Sequence, residues 1–222
     1  MNLSTLFRLR ENLHLDKKTL VILRWIAIFG QFTAVNLVYF YLKLEFSINF
    51  AYLVIFFGLI TNLFLQFKIK SVQIKDFNAS VFLVYDLFQL TILLYLTGGI
   101  SNPFSILIII PTIVSSTFLS MGTTLILGII TLICLFLLTI YYQPFPGIHE
   151  NSFTFPKLYL TGFFISIVIG LVFLSYFGIR FSGETKRRSE AINKLQQVIA
   201  KEYELESLGA QAAAAAHSLG TP

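Results

Sequence analysis

The chain has 222 residues; 56% are hydrophobic, 16% aromatic and only 12% charged, against about 25% charged in a usual soluble domain, and the mean hydropathy is +0.78. That composition excludes a soluble globular enzyme and points to a polytopic membrane protein, with apolar runs too many and too widely spread for a cleaved signal peptide. The formal net charge of +5 reads as lysine and arginine gathered on the cytoplasmic side of a membrane, not as a nucleic-acid surface.

Residues 1–19 form a polar, basic tail with Arg8, Arg10, Lys17 and Lys18. Leu3, Leu6, Phe7 and Leu13 are spaced for a short amphipathic helix on the membrane surface; a plain cytoplasmic tail fits equally well. Six spans follow, each near the ~20 residues that cross a bilayer. The first runs over 20–42, with Arg24 and Trp25 as anchors near its inner end, and the second over 48–67. A basic loop holds Lys68, Lys70 and Lys75. The third span covers 77–97 and ends in GGISNPF, residues 98–104. Glycine suits a helix C-terminus, and asparagine followed by proline suits a helix start. A tight membrane hairpin is therefore expected there. From Phe104 to Tyr142 there are 39 residues without a charge, about twice one span, so the run is divided at 120–124 into spans four and five. Cys134, the only cysteine, lies in this run. No intrachain disulfide or cysteine metal cluster is possible, and a small buried apolar side chain is expected. A polar loop over 143–157 carries Pro144, Pro146, Pro156, His149 and Glu150; it holds no second histidine or acid cluster arranged for a metal, and no metal site is expected. The sixth span covers 158–181.

The positive residues orient the chain. With both ends inside, five Lys and Arg through Arg24, three in the 68–75 loop and six from Arg180 onward are cytoplasmic, fourteen of sixteen; only Lys43 and Lys157 fall outside. Inside the membrane Asp86 is a functional candidate by default, expected as a protonated acid with Gln89 close by. A hydrogen bond that merely holds helices together is the competing reading.

Past Phe181 the composition changes to a charged helix. Residues 184–219 contain no proline, and Ile192, Leu195, Val198, Ile199, Leu205 and Leu208 recur at helical intervals. The register is imperfect, with Glu202 in the seam. Such a stripe needs something to bury against, and a second copy of the helix is expected. At about 100° per residue, Leu205, Leu208, Ala212, Ala215 and Leu219 share one stripe and His217 lies on the opposite face. An exposed imidazole on a rigid helix can act as a nucleophile.

The final stretch, SLGAQAAAAAHSLGTP over 207–222, resembles the phosphoacceptor box of bacterial sensor histidine kinases. More narrowly, it resembles the redox-responsive RegB/PrrB type, which also has six spans and a GGxxNPF heptapeptide after the third. Gly98, Gly99, Asn102, Pro103 and Phe104 match that heptapeptide. The resemblance implies an all-α membrane protein in four parts: a tail over 1–19, a six-helix sensor over 20–181, a linker helix over 182–206, and the start of a dimerisation and phosphotransfer domain over 207–222. It implies that His217 accepts phosphate, with Thr221 and Pro222 completing the motif, and that a response regulator receives the group. It also implies a homodimer in the bacterial inner membrane, in contact with lipid, that senses ubiquinone at the heptapeptide. There, exposed backbone amides and the Asn102 side chain would hydrogen-bond a quinone carbonyl, and Phe104 would pack on the ring. ATP and Mg would enter only through a domain absent from these residues, so the chain alone is expected to be inactive as a kinase. Ser218 departs from the family, where an acidic residue usually follows the histidine. Two other readings stay open: a membrane quinone receptor without kinase activity, and a small transporter-like protein.

Overall fold

The structure is a computed structural model that describes residues 15–69, 71–144 and 155–220. The expected amphipathic helix at the N-terminus, His149 and Glu150, and Thr221 and Pro222 lie outside the described residues. The chain divides into two compact units, Met1–Arg180 and Phe181–Pro222.

The first unit is an all-α membrane bundle. Helix α1 covers Lys17–Asn36 and continues as a π-helical stretch, Leu37–Tyr41; α2 covers Ile48–Lys68; α3 covers Asp76–Leu96. Two 3-10 segments follow, Gly99–Ser101 and Pro103–Ile109, then α4, Ile110–Phe118, and α5, Met121–Ile140. Helix α6 starts at Lys157 and runs as one helix to Leu219, 63 residues. Five of these helices are long and apolar enough to cross a membrane, and Pro103–Phe118 is a shorter apolar helix. Its length is explained by its winding. Seven 3-10 residues and nine α residues rise together about 28 Å, close to the ~30 Å hydrocarbon core. The uncharged run breaks at Leu119–Ser120, where Ser120 caps α5 by accepting from the Thr123 backbone N–H.

One end of the bundle is tied by several polar contacts. At the end carrying Lys17, a two-residue antiparallel bridge pairs β1, Leu15–Asp16, with β2, Gln73–Ile74. The Lys17 ammonium donates to the carbonyls of Gln66 (3.3 Å) and Ile69 (2.7 Å), closing the C-terminal end of α2, where a cation is favoured. Asp76, in the first turn of α3, accepts from the Ser120 backbone N–H (3.1 Å) and the Thr123 hydroxyl (2.8 Å). One carboxylate thereby fixes the α4–α5 junction to the start of α3. Asp76→Ala is expected to cost about 1–3 kcal/mol, as hydrogen bonds to a charged group are lost; unfolding in detergent micelles measures it.

Farther into the bundle, α4 and α5 are joined by hydroxyl pairs, Thr112–Thr131 at 2.8 Å and Ser115–Thr124 at 3.1 Å. Such pairs hold helices together where lipid is as apolar as leucine. Helix α6 meets α4 at Gly178, where an added Cβ would collide with Ser116. Cys134 is buried, as its apolar surroundings lead one to expect. The lipid-sized aromatic and aliphatic side chains of α1, α2 and α5 point outward.

In the second unit, Ile192, Leu195, Val198, Ile199, Leu205 and Leu208 are all exposed. Glu184 and Arg188 form an i,i+4 ion pair at 3.3 Å that is open to solvent.

Candidate sensor sites and phosphoacceptor

Three groups of residues carry chemistry: the turn after α3, a polar layer inside the membrane, and His217.

The turn follows its residue types. Gly98 has φ 103° and Gly99 φ 58°, both in the left-handed region open to glycine. A Cβ on Gly99 would stand 2.5 Å from the Leu138 carbonyl oxygen and 2.6 Å from the Tyr142 Cβ. The glycine is thus what lets the turn lie against the end of α5. Asn102 caps the next segment, its Oδ1 accepting from the Phe104 N–H at 2.8 Å, and Pro103 opens the helical winding. The Asn102 amide donates back to the Thr97 carbonyl (3.1 Å) and hydroxyl (2.7 Å). Gln143 N–H donates to the Tyr95 carbonyl at 2.9 Å, tying the chain after α5 to the end of α3.

This geometry changes the expected hydrogen bonding at the turn. Gly98, Gly99 and Asn102 are buried, so the glycine backbone is not laid open. Both N–H bonds of the Asn102 amide go to Thr97. What remains presented is Pro103 and the Phe104 ring, which is 46% exposed. These groups offer an apolar surface for stacking and packing. They do not supply the hydrogen-bond donors that the sequence suggested.

The intramembrane layer differs more from expectation. Arg24 is not an interfacial anchor: it is 3% exposed. Its Nε donates to Asp86 Oδ1 at 2.9 Å, and its Nη2 donates to the Thr61 hydroxyl at 2.8 Å. The guanidinium also lies over the rings of Phe82 (5.1 Å) and Tyr85 (5.6 Å). Asp86 is therefore the partner of an arginine rather than an isolated acid beside Gln89. Gln89 instead donates to Gln31 Oε1 at 2.8 Å, with its amide above Gly58. Asn62 donates to the Val21 carbonyl at 3.4 Å, and Trp25 donates to Gln66. Arg24, Gln31, Thr61 and Asn62 were absent from the sequence reading of this site. The readable signal was two opposite charges at similar depth from one membrane face, Arg24 seven residues into α1 and Asp86 ten into α3.

His217 stands in the last turn of α6 and is exposed, as are Leu205 and Leu208 of the apolar stripe.

The sequence comparisons bear on these groups together. The profile of the PilS-like transmembrane domain matches residues 10–193. The chain belongs to the PilS-like transmembrane domain family. Two curated sequences of Sensor histidine kinase RegB from Cereibacter sphaeroides are each 34% identical over 206 residues, 92% of this chain. The chain spans 45% of their length. No solved structure matches it. The matched PilS-like domain takes in the turn, the polar layer and the membrane part of every described helix.

Proposed function

We propose that this chain is the membrane sensor and phosphoacceptor region of a redox-responsive histidine kinase in a two-component system. The observation that carries the reading is α6. A single helix leaves the PilS-like bundle and holds, in its last turn, a histidine in the setting of a phosphoacceptor box. The exposed stripe from Ile192 to Leu208 pairs with that of a second copy, giving a homodimer. The distribution of Lys and Arg supports a bundle in a bacterial inner membrane with both described ends on the cytoplasmic side.

The sensed ligand is a quinone, ubiquinone by resemblance, packed on Phe104 and Pro103 at the turn after α3. Its isoprenoid tail lies among the outward-facing apolar side chains. The Gly98–Gly99 backbone and Asn102 hold the turn in shape rather than touch the quinone oxygens. ATP, bound with Mg by a domain outside these residues, supplies the phosphoryl group. The His217 imidazole takes it onto nitrogen as the bond to the ADP leaving group breaks, and a response regulator then receives it on a carboxylate.

The test is phosphorylation of the chain in trans by a cognate ATP-binding domain. Labelling is expected on the parent and none on His217→Gln, a loss of more than about 100-fold, since removing a nucleophile removes the whole covalent route. Label that survives the substitution would rule out His217.

A further inference from the structure

Arg24, Thr61 and Asp86 join α1, α2 and α3 at one level of the membrane. We propose that this Arg24–Asp86 joint is a two-state latch that sets the position of α3 against α1 and α2. As a device for transmitting a signal, it rests on the sensor reading given above.

Four observations carry it. First, both charges sit in transmembrane helices, where ionisable groups are rare and serve function. A buried ion pair is also a poor way to add stability, because apolar residues of the same volume hold helices as well. Second, the layer is not saturated in this arrangement. Arg24 Nη1 and Asn62 Oδ1 are both buried without a hydrogen-bond partner. An unsatisfied buried donor and an unsatisfied buried acceptor mean that this arrangement leaves hydrogen-bonding capacity unused. Third, the neighbouring contact between α2 and α3 is set by a glycine. The Gln89 amide occupies the space above Gly58, where a Cβ would come within 2.5 Å of it, so its bond to Gln31 depends on a missing side chain. Fourth, α3 is placed to carry displacement. Its outer end runs into the Gly98–Gly99 turn, and Asp76 at its other end holds Ser120 and Thr123 at the head of α5. Asp86 lies between these ends, about 18 Å from Gly98 at 1.5 Å per residue. A shift of α3 along its axis must break or remake the bond to Arg24.

The experiment uses the whole chain in lipid nanodiscs with Cys134→Ser. Spin labels are placed at the exposed positions Ile26 on α1 and Phe88 on α3, and the distance between them is read by pulsed electron paramagnetic resonance. The parent is expected to give one dominant distance. Asp86→Asn is expected to add a second population displaced by about 1–2 Å or more, the scale of helix shifts in switching proteins. The charge exchange Arg24→Asp with Asp86→Arg is expected to restore one population. Arg24→Gln, which removes the charge from the other side of the pair, is expected to produce the second population as well, and it gives the reading if Asp86→Asn fails to fold. A single unchanged distance in folded Arg24→Gln would overturn the latch, as would an exchange variant that keeps the second population. A short-chain quinone and its quinol are then added to the parent. Populations that answer to Arg24→Gln but not to either quinone form would support the latch and contradict the quinone reading.

Discussion

Asp86→Ala is expected to destabilise the bundle by about 3–5 kcal/mol, because it leaves the Arg24 guanidinium buried without its counter-charge. Arg24→Leu made alone should cost a similar amount by stranding the carboxylate. The double variant Arg24→Leu, Asp86→Leu is expected to return to within about 1–2 kcal/mol of the parent, since apolar residues of comparable volume replace a buried pair at little net cost. Reversible unfolding in mixed micelles gives all three values. A double variant as unstable as the singles would mean that the pair acts through its contacts to Thr61, Phe82 and Tyr85 rather than through mutual neutralisation.

Gly99→Ala is expected to cost about 3 kcal/mol or more, from left-handed backbone strain together with forced overpacking. The strain follows from φ 58°. The overpacking is severe because the nearest atom is the Leu138 backbone oxygen, which cannot turn away as a flexible side chain can. Gly30→Ala is the matched control. It sits inside α1 with nothing within 4 Å of the added Cβ, and should stabilise by up to about 1 kcal/mol through helix propensity alone. Thermal unfolding of the two variants side by side tests the turn's geometry without reference to any ligand.

The parts of the fold that rest on local chemistry were readable from the residues. Hydropathy gave the membrane helices, and Asn102 before Pro103 gave the start of the fourth segment. The break in the uncharged run falls at Leu119–Ser120, at the edge of the expected division, because Ser120 is a capping residue. The 3-10 winding of Pro103–Ile109 was not readable, since no side-chain preference separates it from an α-helix of the same apolar composition. Arg24 was misjudged because one basic residue near the start of a span looks like an interfacial anchor. Its role depends on Asp86, 62 positions away, and hydropathy does not pair charges across helices. Asn102 was judged from its chemistry as a free amide, whereas the turn folds that amide back onto Thr97. Residue type gives the capacity to hydrogen-bond, but only the closed turn decides where that capacity is used.

The claim that the membrane bundle governs His217 is tested most directly by one measurement. The chain is reconstituted in nanodiscs, and the rate of His217 labelling by a separate ATP-binding domain is compared with quinone oxidised and reduced. The expected result is a difference of about 5-fold or more between the two forms, a coupling of roughly 1 kcal/mol or greater, that disappears in Phe104→Ala while the basal rate remains. Equal rates with both quinone forms in the folded parent chain would contradict it.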